Sequence, residues 1–433
     1  MEKDKLKELI LEHKERFLSR QGLVAREVQA DTVRYLPQKE IVLITGVRRG
    51  GKSSLMRLVC DDVMKKGDVP AANLLYVNFE DERFVDFTVK DFELLYETYL
   101  ETEAPKGRKY FFLDELQNIK GWEKWVNRLY EFEDVKIFVT GSNAAMLSSE
   151  VSTALTGRNR QIRNWPFSFR EFLAFKGFRV DEKAFLQRER RAELKRSFAH
   201  YLQAGGFPEV LKIDDPTLLE QYFKDIIYRD VIARYSIRNI REIKELALYL
   251  ASNAGTVQSY KNIKGLIGVK SLSTVRSYLQ ALEDVFLFFS VDLFDYSVKR
   301  QIYNPSKIYC VDTALSRSIS FAFSRNLGRV YENMVFLELL RRNEEVYYWK
   351  SAKGREVDFI VKKGHRIDKA VQVTLSLSDR KVKERELLGL RDAEEELKPA
   401  QLVVLTEDEE GKEMVDGVEV TVVPVYKWLL VKP

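Results

Sequence analysis

One stretch of the chain, residues 41–54, limits its possible folds more than any other. It holds an apolar run and a glycine-rich motif, Ile41-Val42-Leu43-Ile44-Thr45 and Gly46-Val47-Arg48-Arg49-Gly50-Gly51-Lys52-Ser53-Ser54. The β-branched run predicts a buried strand, and the residues from Ser54 onward predict the start of a helix. A strand, the pattern G-x-x-x-x-G-K-S and a helix in this order are the context that a phosphate-binding P-loop requires.

The residue types of the motif fit the binding of a nucleoside triphosphate. Its glycines let consecutive backbone N–H groups curl around phosphate oxygens, and the helix N-terminus adds a partial positive charge. Lys52 would reach the β- and γ-phosphates, and the Ser53 hydroxyl would ligate Mg²⁺. We therefore expect ATP and Mg²⁺ as cofactors, with nucleotide contacts from Gly46, Arg48, Arg49, Gly50, Gly51, Lys52, Ser53 and Ser54.

A second acidic motif predicts hydrolysis. The run Lys109-Tyr110-Phe111-Phe112-Leu113 ends in Asp114-Glu115, as a buried strand with an acidic pair at its carboxyl end would. Asp114 would hold Mg²⁺ through its water shell, and Glu115 would orient and polarise the attacking water. The alternative is an edge strand that runs into an acidic turn. No second substrate pocket is evident, which favours hydrolysis over transfer to another molecule.

Further polar residues follow the next predicted strand, Val135–Thr140. Its tip reads Gly141-Ser142-Asn143, which would lie between the acidic pair and the γ-phosphate. Ser142 is the candidate nucleotide contact there. Ser142 or Asn143 would serve equally well as the N-cap of a following helix, and both roles can hold together.

Residues 153–170 contain four arginines and no acid, namely Arg158, Arg160, Arg163 and Arg170. Thr156-Gly157-Arg158 predicts a turn that places Arg158 at a domain edge. Arg158 is therefore a candidate arginine finger that acts on the γ-phosphate of a neighbouring subunit, which would require a homo-oligomer. Ordinary ion pairing or a contact with a phosphate backbone is the alternative.

The composition bounds what else the chain can be. Its 433 residues, 45% of them hydrophobic, exceed one ordinary core, so roughly two to four domains are expected. The sequence has no apolar run of membrane-spanning length and begins without a signal-peptide core, so we expect a cytoplasmic protein with no membrane partner. Cys60 and Cys310 predict buried thiols rather than a disulfide or metal site. The net charge of +5 permits nucleic-acid binding without requiring it.

Residues 241–300 predict a winged helix. A first helix is followed by Ser259–Ile263, which starts a short second helix. A turn follows at Gly265–Gly268, then a third helix at Ser271–Leu279 and a wing strand at Phe286–Val291. Four basic residues and no acid lie between Ser259 and Gln280. This predicts DNA contacts from Lys261, Lys264, Lys270, Ser273, Thr274 and Arg276. The alternative is that the winged helix docks onto protein or forms a lid.

With a further α/β module after Asn304, the chain resembles a family of archaeal and bacterial predicted ATPases. The segments that carry the resemblance are Gly46–Ser53, Phe112–Glu115, Gly205–Glu209, Tyr331–Asn333 and Gly354–Val361. The resemblance implies a parallel α/β sheet of the AAA+ P-loop type with helices on both faces, followed by a winged helix and a PD-(D/E)xK-nuclease-like domain. The implied domains are residues 1–206 with an N-terminal helix, 207–300 with a lid or linker and the winged helix, and 301–433.

The nuclease-like domain is expected to be degenerate. Such a site needs an acid on its first helix, an acid on its second strand and Glu-x-Lys on its third, so that carboxylates hold Mg²⁺ and the lysine orients water. Glu332 and Asp358 fit the first two positions, but the third reads Gln372-Val373-Thr374. Gln372 is a weak Mg²⁺ ligand and the lysine is missing, with Lys362 and Lys369 as candidate substitutes.

The sequence thus predicts an AAA+ type protein that binds and hydrolyses ATP with Mg²⁺ and binds DNA through its winged helix. One alternative is a DNA endonuclease gated by ATP and cutting with the C-terminal domain. The other is a scaffold or signalling protein that nucleotide switches with little turnover.

Overall fold

The structure is a computed structural model that describes residues 1–144, 155, 157–320 and 327–431. The chain forms two compact units: residues 1–166 with 284–286, and residues 167–283 with 287–433. No observation tests the domain boundaries at residues 206 and 300, which stay predictions. None of the helices in the described part of the chain has the length and apolar character of a membrane span.

The first unit alternates strands and helices around a parallel sheet. Its helices are α1 (Lys3–Leu18), α2 (Glu27–Arg34), α3 (Lys52–Gly67), α4 (Phe92–Glu103) and α5 (Trp122–Phe132). Its strands are β1 (Ile41–Thr45), β2 (Leu74–Asn78), β3 (Lys109–Asp114), β4 (Val135–Gly141) and β5 (Asn159–Arg163). The order across the sheet is β2-β3-β4-β1-β5, with every pair parallel. This confirms the predicted fold class.

Alternating residues of each strand supply two separate cores. Ile41 and Leu43 of β1 lie in one hydrophobic cluster, and Val42 and Ile44 lie in the other. Because successive side chains of a strand point to opposite faces, a continuous apolar run needs a covering layer on both sides. The helices supply that layer, so the carboxyl edge of the sheet is left to present polar residues.

The second unit begins with helices and continues into two sheets. Its helices in the described residues are Phe169–Phe175, Lys183–Leu186, Arg188–Ala204, Pro208–Ile213, Leu218–Asp225, the π-helix Ile226–Ala233, Ile240–Ser252, Tyr260–Ile267, Leu272–Asp284, Val298–Tyr303, Thr313–Ile319, Leu327–Arg341, Arg380–Leu397 and Val425–Trp428. Asp284, the last residue of its helix, belongs to the first unit.

A three-stranded antiparallel sheet in this unit is built from β6 (Thr256–Gln258), β7 (Phe288–Val291) and β8 (Ser306–Cys310), in the order β6-β8-β7. The helix Ile240–Ser252 precedes β6, and the helices Tyr260–Ile267 and Leu272–Asp284 lie between β6 and β7. Ser271 caps the helix Leu272–Asp284, because its hydroxyl accepts a hydrogen bond from the Thr274 N–H at 3.1 Å. The three helices and the wing strand predicted for residues 241–300 are present, but β6 was not predicted. The turn predicted at Gly265–Gly268 is wrong at its start, because the helix Tyr260–Ile267 continues through Gly265 and ends at the left-handed Gly268.

A six-stranded mixed sheet follows, with the order β13-β14-β12-β11-β10-β9. Its strands are β9 (Glu345–Lys350), β10 (Glu356–Lys363), β11 (Arg366–Val373), β12 (Gln401–Thr406), β13 (Gly411–Val415) and β14 (Val418–Pro424). The last two strands, β13 and β14, form an antiparallel hairpin that starts at Gly411. Asp416 and Gly417 both have positive φ, as the tight Asp-Gly turn between the two strands demands.

One carboxylate holds the break between the helices Arg188–Ala204 and Pro208–Ile213. Gly205 has φ +72°, and a Cβ there would lie 2.4 Å from Asp312 Oδ1. The Gly206 N–H donates to Asp312 Oδ2 at 2.7 Å, and the Leu315 N–H donates to Oδ1 at 2.9 Å. Only glycine fits beside this buried carboxylate, so the break is a tightly packed turn.

Candidate nucleotide site

Two glycines shape the loop between β1 and α3. Gly51 has φ +92° and lies immediately before the first residue of α3. Gly46 has φ +150°, and a Cβ at this position would lie 2.0 Å from the Asn164 carbonyl oxygen. Since a side chain cannot approach a carbonyl oxygen so closely, the backbone path itself requires glycine here.

Two residues outside the sequence motifs, Asn164 and Arg26, hydrogen-bond to the loop. The Gly50 carbonyl accepts hydrogen bonds from Asn164 Nδ2 at 2.8 Å and Arg26 Nη1 at 3.3 Å. Asn164 also donates its N–H to the Thr45 carbonyl at 2.7 Å, so it follows β5 and bridges to β1. Both side chains are buried. Neither residue belongs to a recognisable motif, so only the fold brings them to the loop.

Lys52 lies inside the loop and faces Glu115. Its ammonium donates to the Gly46 carbonyl at 3.2 Å and the Val47 carbonyl at 3.3 Å. It also forms an ion pair with Glu115 Oε1 at 3.2 Å. With only 4% of its surface exposed, Lys52 is a buried cation held by one carboxylate and two neutral carbonyl groups.

Asp114 is buried at the carboxyl end of β3 in a network of hydroxyl groups. Tyr76 donates to its Oδ2 at 2.9 Å, and Thr140 donates to its Oδ1. Burial raises the pKa of Asp114, as does the negative charge of Glu115, while hydrogen bonds from Ser53, Thr140 and Tyr76 act in the opposite direction. The hydrogen bond with Ser53 brings the two predicted metal ligands together.

Glu115 has a different electrostatic environment from its neighbour. Burial favours its protonated form, but the Lys52 charge and a hydrogen bond from Gln117 outweigh burial, and its pKa is lowered. Its backbone has φ +51°, a left-handed conformation that is uncommon outside glycine. The Thr140 hydroxyl accepts the Glu115 N–H at 2.9 Å, so Thr140 joins both members of the acidic pair.

The sheet order explains why Thr140 and Ser142 reach the acidic pair. Strand β4 lies between β1, which leads into the loop, and β3, which ends in Asp114. Ser142 is buried, and Gln117 Nε2 lies 3.5 Å from its hydroxyl while also donating to Glu115. The helix that Ser142 or Asn143 was predicted to cap falls in residues 145–154, outside the described residues.

The predicted arginines and Ser54 have separate environments. Arg48 pairs with Glu80 at 2.6 Å, Arg49 has φ +65°, and Ser54 is half-buried in the first turn of α3.

Arg158 pairs with Glu131 at 2.7 Å and donates to Asn127, and about a third of its side chain is exposed. Thr156, in the predicted turn before Arg158, lies outside the described residues.

The residues predicted to contact DNA lie on two helices of the second unit and the turn between them. Lys261 and Lys264 belong to Tyr260–Ile267, Lys270 lies in the turn, and Ser273, Thr274 and Arg276 belong to Leu272–Asp284. Lys261, Lys270, Ser273 and Arg276 are exposed, whereas Lys264 and Thr274 are half-buried. The Arg276 guanidinium lies 5.2 Å from the centre of the Tyr260 ring.

The three residues of the nuclease-like pattern come together. Glu332 of the helix Leu327–Arg341, Asp358 of β10 and Gln372 of β11 line one cavity of about 830 Å³. The candidate replacement lysines are elsewhere: Lys362 pairs with Glu345 at 2.9 Å, and Lys369 pairs with Glu344 at 3.3 Å. Lys307 contacts the carboxylates instead. No sequence signal pointed to it, because it lies in β8, outside the pattern.

Comparison with known proteins identifies the family. The chain is 35% identical to the uncharacterized protein MJ1544 of Methanocaldococcus jannaschii, and the match covers 98% of this chain and 94% of that protein. The chain belongs to the same family as MJ1544. An uncharacterized protein of Haemophilus influenzae is 32% identical, with 90% of this chain and 94% of that protein covered.

Three family models match successive parts of the chain. Residues 38–173 match AAA_14, described as an AAA domain, while residues 195–326 and 327–428 match two domains of unknown function, DUF8612 and DUF4143. The AAA match spans the glycine-rich loop and the acidic pair. The chain is therefore an ATP-binding protein of the AAA+ type.

Solved structures resemble the chain more distantly. The Walker-type ATPase paby2304 of Pyrococcus abyssi is 15% identical, covers 70% of this chain and 97% of its own length, and gives a TM-score of 0.43. The Aeropyrum pernix ORC1 protein in complex with DNA is 14% identical, with 76% and 98% covered and a TM-score of 0.29. At such low TM-scores these likenesses carry no functional argument.

The close approach of Gly46 to Asn164 yields a prediction. In Gly46→Ala the new Cβ cannot fit, so we expect the first unit to lose about 2–4 kcal/mol of stability and the chain to lose ATP binding. Differential scanning calorimetry and titration with a fluorescent ATP analogue measure the two effects. Gly265→Ala is the control, because its Cβ meets nothing within 4 Å and alanine gains roughly 0.5–1 kcal/mol in a helix. A Gly46→Ala variant with wild-type stability and affinity would contradict the packing argument.

Proposed function

We propose that the chain is a Mg²⁺-dependent ATPase that uses Lys52, Ser53, Asp114 and Glu115. The observation that carries this proposal is the contact of Lys52 with Glu115 at 3.2 Å, next to an Asp114 that is hydrogen-bonded to Ser53. A phosphate-binding cation, two oxygen ligands suited to Mg²⁺ and an ionised carboxylate thus meet where the γ-phosphate of a loop-bound nucleotide would lie.

The residues at the site fit a magnesium ion. Ser53 and Asp114 would hold it, and because a hard cation prefers oxygen ligands and keeps several waters, two protein ligands suffice. The bound ion would neutralise charge on the β- and γ-phosphate oxygens. Tyr76 and Thr140 hold the Asp114 carboxylate from the far side, so they are its positioning residues.

Nucleotide binding would change the partner of Lys52. In the structure the loop carbonyls and Glu115 hold its ammonium. Phosphate oxygens carry more charge than carbonyl groups, so the lysine would turn toward them and release Glu115. The freed carboxylate, oriented by Gln117, would accept a proton from the attacking water. Ser142 directly follows β4, the strand between the two motifs, where it would contact the γ-phosphate.

We propose that Arg158 contacts the γ-phosphate of the nucleotide bound to a neighbouring subunit. Its pairing with Glu131 is partly exposed and so contributes at most about 1 kcal/mol, which leaves the guanidinium able to exchange partners. An arginine finger would require a homo-oligomer, and turnover per chain that rises with protein concentration in the wild type but not in Arg158→Ala would support it.

We also propose that the helices Tyr260–Ile267 and Leu272–Asp284 bind DNA as a winged helix. The support is the order helix, strand, two helices and strand β7, together with the exposed cations Lys261, Lys270 and Arg276. A second helix that lies in the major groove is the usual geometry of such a module. The opposing proposal, docking onto protein, draws on the exposed Leu266 and Leu272 nearby.

Of the two alternatives for the whole chain, the nucleotide-switched scaffold shares this site but predicts negligible turnover. The ATP-gated endonuclease requires metal chemistry in the C-terminal domain. ATP hydrolysis by the wild type and Glu115→Gln distinguishes the scaffold from an ATPase.

Glu115→Gln should lower kcat for ATP hydrolysis by about 100-fold or more, because an amide cannot accept the proton of water. ATP affinity should stay within a few-fold, since Lys52 and the loop remain. Steady-state phosphate release and equilibrium ATP binding measure the two quantities. Glu101→Gln, an exposed glutamate of α4 paired with Lys3, is the matched control. Unchanged hydrolysis and nucleotide residence time in Glu115→Gln would show that Glu115 is not the catalyst.

The double variant Lys261→Glu/Arg276→Glu should bind duplex DNA at least about 10-fold more weakly and reduce the slope of log K against log salt by roughly two. Fluorescence anisotropy at several salt concentrations measures both. Lys5→Glu/Lys412→Glu makes the same change of net charge at exposed sites elsewhere and should change neither. Equal DNA affinity for the two double variants would remove the winged-helix proposal.

A further inference from the structure

The carboxylate cluster of the C-terminal domain contains a buried lysine. Lys307 of β8 is 2% exposed, and its ammonium lies 2.8 Å from Glu332 Oε1, 2.9 Å from Asp358 Oδ1 and 2.8 Å from Glu356 Oε1. These carboxylates line the cavity, whereas Lys307 is not among the residues that line it. The ammonium therefore contacts the cluster from inside the protein.

Three oxygens of the predicted metal ligands already accept other hydrogen bonds. Tyr309 donates to Glu332 Oε1 at 2.6 Å, and the Val373 N–H donates to Asp358 Oδ2 at 3.0 Å. The amide oxygen of Gln372 accepts the Asp358 N–H at 3.1 Å. Among the residues that the structure describes, no group of three or more His, Cys, Asp or Glu side chains has the arrangement of a metal site.

Charge also opposes a second cation. The Lys307 ammonium donates hydrogen bonds to Glu332 and Asp358, two of the predicted metal ligands, and forms an ion pair with Glu356. Mg²⁺ demands near-octahedral oxygen ligands at about 2.0–2.1 Å, and it would have to bind beside a fixed positive charge that shares the same oxygens. The residues present therefore do not fit the metal ion that a nuclease-like domain implies.

We propose that Lys307 is a built-in replacement for the divalent metal ion, so that the site of Glu332, Asp358 and Gln372 binds no divalent cation and cleaves no phosphodiester. The cation ties β8 of the three-stranded sheet to the helix Leu327–Arg341 and to β10. A lysine fixed by three carboxylates cannot be exchanged for a metal from solvent, because its side chain is covalently part of the fold. The cavity is left as a chamber without hydrolytic chemistry.

Mn²⁺ titration of the nucleotide-free full-length protein tests this proposal. All variants carry Asp114→Asn, which removes the metal ligand of the nucleotide site. Isothermal titration calorimetry and electron paramagnetic resonance count bound Mn²⁺ in this background and after adding Asp358→Asn, Lys307→Met, or both. We expect equal binding with and without Asp358→Asn, because Lys307 already excludes the ion. Lys307→Met should gain one Mn²⁺ per chain, and the further Asp358→Asn change should abolish it.

Two results of the Mn²⁺ titration would overturn the proposal. One is Mn²⁺ bound in the presence of Lys307 and lost with Asp358→Asn. The other is a Lys307→Met variant that keeps the circular dichroism of the parent and gains no Mn²⁺. If Lys307→Met does not fold, the Asp114→Asn background is compared with and without Asp358→Asn. Equal Mn²⁺ binding by the two proteins supports the proposal, and loss of Mn²⁺ on adding Asp358→Asn refutes it. Mn²⁺-dependent nicking of supercoiled plasmid by the wild-type chain, abolished by Asp358→Asn, would refute it as well.

Discussion

The structure depends most on how buried charges of both signs find partners at the ends of strands. Lys52 and Asp114 are 4% and 2% exposed, and neither charge would be tolerated there without a partner. The loop carbonyls, Glu115 and the hydroxyl groups of Tyr76 and Thr140 supply those partners. The parallel sheet brings them together because its strands all present their carboxyl ends at one edge.

The same physical requirement is met differently in the two units. Lys52 has one carboxylate and two neutral carbonyl groups as partners, so an anionic ligand can compete for it. Lys307 has three carboxylates, Glu332, Asp358 and Glu356, as partners. A ligand that displaced Lys307 would have to replace three charged contacts, whereas one that displaced Lys52 would have to replace one.

Sequence patterns predicted most of the fold and the principal residues of the nucleotide site. Glycines, a lysine and an acidic pair at fixed spacing predicted a P-loop and its acidic strand, because phosphate binding needs those residue types in that order. Thr140 and Gln117 were missed, although both contact Glu115, because a single hydroxyl or amide in a buried strand or turn has no distinguishing pattern. The Asp416-Gly417 pair is a hairpin signal within the sequence, because both residues of that turn need positive φ.

The sequence by itself determined the parallel α/β sheet, the phosphate-binding loop and the missing lysine of the Gln372-Val373-Thr374 position. Each of these features is encoded by a contiguous segment, in which the period of apolar residues or the spacing of the motif residues indicates the structure. Only the tertiary structure decided that Asn164 supports the loop at Gly46 and that Lys307 neutralises Asp358. These contacts join residues 118 and 51 positions apart, since 164 − 46 = 118 and 358 − 307 = 51. Packing sets such distances, and no local pattern encodes them.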